Sequence, residues 1–346
     1  MVALVAGEYP LLGYTPGDIS SETIYIFTKG HEIKSIHSVP APPIPEILRF
    51  GICGAKVGDK LIVGNASSLY IYNVSLSKWC SINRSKVLGP QCSRTSVCKL
   101  NSNTMIIVGG DGLQGDTVEL LIFNNADTRV TSYRPISSVI SSALSCSSTN
   151  QRIKCPTELP VKVAYNSIIN IDEGKVLLAG GNVMGIASNR VFQGTISPNG
   201  TNVIWKELSP LNIARSNHVC FRLNNAIFVA GGYGSRWDKL SCSERYDSER
   251  DVWLKDTIYH PDSEEGDLDL PFPLVDASVV VDRNQTFAAI IGGVTEMMYF
   301  EEEEVVRLED CPSSNVIIFT INEGFKCFQN FNLLSNRKQH ACLPIH

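Results

Sequence analysis

An all-β fold, built of six repeated four-stranded units that close head to tail into a ring, is what the sequence predicts. Three observations predict it. A short apolar run ending in a glycine pair recurs, as in TMIIVGGDG (Gly109, Gly110), VLLAGGN (Gly180, Gly181), IFVAGGYG (Gly231, Gly232) and AAIIGGV (Gly292, Gly293). An aromatic residue is followed seven positions later by tryptophan in two places, Tyr72 to Trp79 and Tyr246 to Trp253. The final stretch, NRKQHACLPIH, repeats the opening of the unit at Ala214, so that Arg337, His340 and Cys342 answer Arg215, His218 and Cys220.

The glycine signal recurs in weaker copies at Gly7 and Gly64, which brings the units to six at a spacing of roughly fifty residues. Glycine at these points suits a backbone at positive φ and a close approach between neighbouring units. The run before each pair reads as two strands, and in the fifth unit Asn224–Asn225 suits a two-residue hairpin. An aromatic strand follows, and the tryptophan belongs to a fourth, with Val130 taking that place after Phe123. The sixth unit's NVIIFTINEGFKCFQNF matches the first unit's ETIYIFTKGHEIKSIHSV. Aligned on the fifth unit, His346 falls on Asn224 and Met1 on Asn225. Residues 337–346 are therefore expected to supply the innermost strand of the first unit, paired with residues 1–7. Such closure removes exposed sheet edges, and it carries the expectation that no unit is missing.

Composition permits a large core, with 43% hydrophobic and 19% charged residues over 346 positions. A net charge of −5 argues against a nucleic-acid binder, which would carry a basic face. No apolar run is long enough for a membrane span, and the N-terminus lacks the charged leader of a secretory signal. Eleven cysteines, an odd count, suit reduced thiols and a cytoplasmic setting. A secreted form would instead draw on bridges such as Cys80/Cys92 and Cys146/Cys155.

The fifth unit, RSNHVCFRLNNAIFVAGGYG followed by SERYDSERDVW, resembles the kelch family, and weaker copies extend the resemblance over the chain. The resemblance implies a six-bladed kelch β-propeller, a single domain over residues 1–346. It also implies that ligands meet the face made by the loops between blades and those after the glycine pairs. Arg49, Arg94, Arg215 and Arg337 begin inner strands and are expected to ring the mouth of the central channel. There their guanidinium forks would suit a carboxylate or a phosphate. The plainer alternative pairs each arginine with a neighbouring acid or carbonyl. Asn217 lies beside this collar, and Tyr233, Arg236 and Trp237 follow the fifth glycine pair in the composition of an interface hot spot. The run Glu301–Glu304 is expected to be a solvated loop of the sixth unit.

Enzyme motifs are sparse. There is no CxxC, HExxH or GxSxG, and no GxGxxG at a strand–helix junction, so neither a metal nor a cofactor is expected. The Glu-x-x-x-Asp-x-x-x-His pattern of the iron-binding nitrile-specifier propellers is absent as well. Two readings result. The first is a protein-interaction module that grips an acidic segment of a partner at the channel mouth. The second, suggested by likeness to a bacterial kelch-type enzyme, is a sugar-carboxylate (sialic-acid-type) mutarotase using the same pocket.

Overall fold

The computed structural model describes residues 1–7, 21–29, 32–40, 53–57, 60–64, 69–73, 78–82, 95–110, 116–123, 130–135, 158–200, 202–255, 257–258, 266–301, 304–337 and 340–344. Five four-stranded antiparallel sheets dominate these segments. The first combines His340–Pro344, Val2–Gly7, Ser21–Lys29 and Glu32–Pro40, in that order. The second runs Cys53–Val57, Lys60–Gly64, Leu69–Asn73, Lys78–Ile82, and the third Ser96–Asn101, Thr104–Val108, Val118–Phe123, Val130–Pro135. The fourth runs Ser167–Asp172, Lys175–Ala179, Val191–Ile196, Val203–Leu208, and the fifth Val219–Leu223, Ala226–Ala230, Ser243–Asp247, Val252–Leu254.

The expectation of six equivalent four-stranded units is corrected by the remaining sheet, which has five strands. Ser278–Val281, Ala288–Ile291, Glu304–Thr320 and Gly324–Arg337 follow the expected path, but Val294–Glu301 also pairs with Glu304–Thr320. Its register runs from Val294 opposite Pro312 to Glu301 opposite Glu304, so the residues flanking the acidic tip, expected as a loop, are paired strands. The EMMYF and VVRLE runs carry the aromatic and β-branched residues that suit strands, a signal the acidic tip obscured.

Each sheet packs its innermost strand on the next. Cys53–Val57 adjoins Ser96–Asn101, then follow Ser167–Asp172, Val219–Leu223 and Ser278–Val281, and His340–Pro344 returns to Cys53–Val57. The two ends of the chain share one sheet, with Ala3 opposite Pro344 and Gly7 opposite His340. The innermost strand begins at His340, later than expected, because Arg337 ends the preceding strand opposite Ser313.

Local chemistry accounts for the hairpins. Asn224 and Asn225 have φ values of 47° and 68°, the doubly left-handed turn that matches strand twist and that asparagine tolerates. The glycine pairs stitch sheet to sheet: the second glycine donates to the next unit at Gly110 N–Val163 O (2.9 Å), Gly181 N–Arg215 O (2.8 Å) and Gly232 N–Leu274 O (2.8 Å). A Cβ on Gly231, at φ +67°, would lie 2.3 Å from the Leu274 carbonyl oxygen.

Side chains fill the wedges between sheets. Leu120, Ile106 and Val108 of the third sheet pack on Val176, Leu178 and Phe192 of the fourth. Phe221 and Phe228 meet Phe319 of the neighbouring sheet at ring separations of 5.3 and 4.8 Å. The aromatic pairing also holds: Tyr246 stands opposite Trp253 with centroids 5.0 Å apart, and Trp253 Nε1 donates to Ser209 O of the preceding link. The fourth sheet has its own version, Trp205 opposite Gly194, which a longer turn hides from the seven-residue spacing. Cys98, Cys220, Cys242, Cys311 and Cys327 are free thiols. Cys92, Cys146 and Cys155, needed for the bridges considered above, lie outside the described residues.

Gly231→Ala is expected to cost about 3 kcal/mol in urea unfolding, combining left-handed strain with a backbone clash. Gly185→Ala, at φ +89° with open space around it, should cost only about 1 kcal/mol.

Candidate functional site

Arg215 is where the expected arginine collar meets the structure. Its side chain is 0% exposed. One guanidinium nitrogen donates to the Glu244 carboxylate at 2.8 Å, and the other to the carbonyls of Gly231 and Cys242, both at 2.9 Å. Glu244, equally buried, also accepts from the backbone N–H groups of Asn212 (2.7 Å) and Ile213 (3.1 Å). The pair therefore clamps the link between the fourth and fifth sheets against the fifth glycine bend. The reading of Arg215 as a ligand-gripping group is corrected, because its charge is satisfied internally. Arg49 and Arg94 lie outside the described residues, and Arg337 is described only as the backbone end of its strand.

Three expected residues do come together. After Gly232 the chain forms isolated bridges at Tyr233 with both Ser216 and Lys239. A tight turn follows, with Trp237 N donating to Gly234 O (3.1 Å) and Gly234 N to Asp238 O (2.8 Å). Trp237 occupies φ +63° and is 58% exposed, its ring 5.7 Å from Tyr233. A bulky residue in the left-handed region is costly, and such strain clusters at binding sites. Arg236 is exposed and has no carboxylate partner among the described residues. Lys239 is held by Glu296 at 2.9 Å, tying the loop to the next sheet.

The equivalent position on the fourth sheet contributes residues that the motifs did not flag. Asn182–Val183 and Ile186–Ala187 form a small hairpin after Gly181, with Gly185 N donating to Asn182 Oδ1 at 2.7 Å. Met184 at its tip is 95% exposed, and Ile186 is exposed too. An apolar side chain after a glycine pair, as in NVMGIA, was the available signal. Asn217 has a positioning role. Tyr165, Asn217 and Asp276 hold equivalent left-handed positions (φ 53°, 55° and 56°), and backbone N–H groups link each to the one before at 3.0 Å. The Asn217 amide adds a 2.6 Å bond to Asp276.

One residue beyond Asn217, His218 is buried with neither ring nitrogen hydrogen-bonded. Burial, aided by the Arg215 charge, lowers its pKa to about 3, so the imidazole is neutral.

Antiparallel sheets adjoining through their innermost strands, closed by the two chain ends and stitched at glycine pairs, define a β-propeller. Residues 214–255 match the Kelch motif family. The Kelch repeat and BTB domain-containing protein 1 of cowpox virus is 35% identical over 98 residues, 28% of this chain and 17% of that protein. An F-box/kelch-repeat protein of Arabidopsis thaliana is 30% identical over 102 residues, 28% of this chain and 26% of its own length. The matched stretch thus spans between 17% and 26% of these relatives. Among solved structures, YjhT superposes with a TM-score of 0.59 at 10% identity, covering 88% of this chain and 89% of that one, a likeness of fold.

Arg215→Ala is expected to destabilise the protein by about 3–5 kcal/mol in urea unfolding, since it strands Glu244 without its counter-charge. His218 gives a pH signature. Its folded pKa lies below the unfolded value of about 6.5, so the unfolded chain binds an extra proton between these limits. Stability should fall as pH drops through this window, by about 1.4 kcal/mol per pH unit, and His218→Phe should remove that slope in unfolding titrations.

Proposed function

We propose that this chain is a protein-interaction module that binds an acidic segment of a partner on the face carrying the loops after the glycine pairs. The single observation that supports it most is Trp237, largely exposed on a strained turn beside Arg236, a cation with no carboxylate partner among the described residues. Tyr233 backs the tryptophan, and Met184 and Ile186 extend the apolar area on the adjoining sheet. Aromatic and arginine side chains together are the usual anchors of protein interfaces, and a free guanidinium suits a carboxylate. The proposed grip therefore rests on Arg236, Tyr233 and Trp237, without Arg215. In the same reading the sheets form a single domain over residues 1–346, and the odd cysteine count suits a reducing, cytoplasmic setting. A sugar-carboxylate isomerase would rely on an arginine at the channel mouth, a role from which Arg215 is removed by Glu244.

Fluorescence anisotropy with glutamate-rich peptides against lysine-rich peptides of equal length tests the reading. Acidic peptides should bind preferentially, and Arg236→Ala and Trp237→Ala should each weaken binding by at least tenfold with little change in Tm. Equal binding of both peptide classes would overturn it. Trp237→Gly is expected to lose binding while gaining about 1 kcal/mol of stability, because glycine relieves the left-handed strain.

A further inference from the structure

At the ends of the strands away from the glycine pairs, a cleft of about 480 Å³ opens between the fourth and fifth sheets. Its walls are two cross-strand rows. On the fourth sheet Leu177, Gln193 and Lys206 lie in register, and on the fifth Arg222, Ile227 and Tyr246 do. The inner end is apolar, formed by Leu177, Leu208 and Ile227, and the outer rim is charged.

The rim carries three cations, Lys175, Lys206 and Arg222, and two carboxylates, Asp172 and Asp251. Both carboxylates are engaged within the protein. Asp172 accepts from the Glu173 N–H at 2.8 Å and from Lys175 at 3.2 Å, and Asp251 accepts from the Tyr246 hydroxyl at 2.6 Å and the Ser209 N–H at 3.0 Å. These bonds hold both acids below the usual carboxylate range, so each stays ionised and satisfied. Arg222 is fixed in place by neutral acceptors, the Ile171 carbonyl and the Asn225 side chain; it makes no salt bridge among the described residues, although Asp172 feels its charge from farther away. Lys206 is exposed and likewise forms no ion pair among the described residues. One positive charge is left over, borne by a preorganised guanidinium and a flexible ammonium above an apolar floor.

We propose that this cleft binds a small organic monoanion, its carboxylate held by Arg222 with Lys206 adding attraction from the rim, and its apolar body seated on Leu177, Leu208 and Ile227. The volume suits a ligand of that size. A single unmatched charge favours a monoanion over a multiply charged phosphate, and a planar fork favours carboxylate geometry. The site lies at the opposite end of the strands from the Trp237 loop and does not depend on the interaction proposed there.

The test uses phenylacetate as probe, with neutral phenylacetamide and inorganic phosphate as comparators, measured by isothermal titration and by ligand-observed NMR on the full chain. Saturable binding of phenylacetate, at least tenfold stronger than that of the other two, is the expected result. Lys206→Gln and Arg222→Gln should each weaken it about tenfold, while Lys326→Gln, on the sixth sheet, should leave it unchanged. Should Arg222→Gln disturb folding, Lys206→Gln decides, since that exposed side chain supports no internal bond. No saturable binding, equal binding of the amide, or unchanged affinity in Lys206→Gln would each overturn the proposal.

Discussion

The structure depends on how closely one sheet's backbone approaches the next at the glycine pairs. A four-stranded sheet of this kind buries its faces only against neighbours, and the neighbours meet where Gly109, Gly181, Gly231 and Gly232 leave no room for a side chain. At Gly231 and Gly232 the same bend is fixed from behind by the Arg215–Glu244 pair, which ties the interblade link to the third strand of the fifth sheet. Removing either element would separate surfaces that are apolar on both sides, so the clamp and the close approach act as one constraint.

That constraint also explains where polar chemistry is found. Close to the glycine bends, charged and polar groups are enclosed: Arg215 is matched to Glu244, and His218 is kept neutral by burial. A few residues farther along, the chain emerges as short loops carried on the bends beneath them. Trp237 and Met184 are held out in left-handed conformations on such loops. A rigid bend carrying a strained, exposed aromatic is an arrangement that packing alone does not call for.

At the other end of the strands the fourth and fifth sheets leave a cleft between them. That cleft is walled by strand residues, Arg222 and Lys206 among them, whereas the Trp237 face is built from loops. Two surfaces of different character thus arise from the same repeat, one exposed and aromatic, the other recessed and cationic.

The sequence by itself determined the repeating unit, the turn chemistry of Asn224–Asn225, the opposition of Tyr246 and Trp253, and the meeting of the two chain ends. All of these follow from local pattern: period-two alternation, glycine where φ is positive, and the likeness of one segment to another. The tertiary structure decided what each polar side chain is for. Arg215 resembled the other strand-leading arginines until Glu244, distant in sequence, was brought against it. Trp205 was hidden by a longer turn, and the segment 294–312 joined the sixth sheet although its acidic tip resembled a loop. Whether a charge faces water, a partner or a buried counter-charge depends on which distant strand packs against it, and that is set by the closed arrangement of sheets.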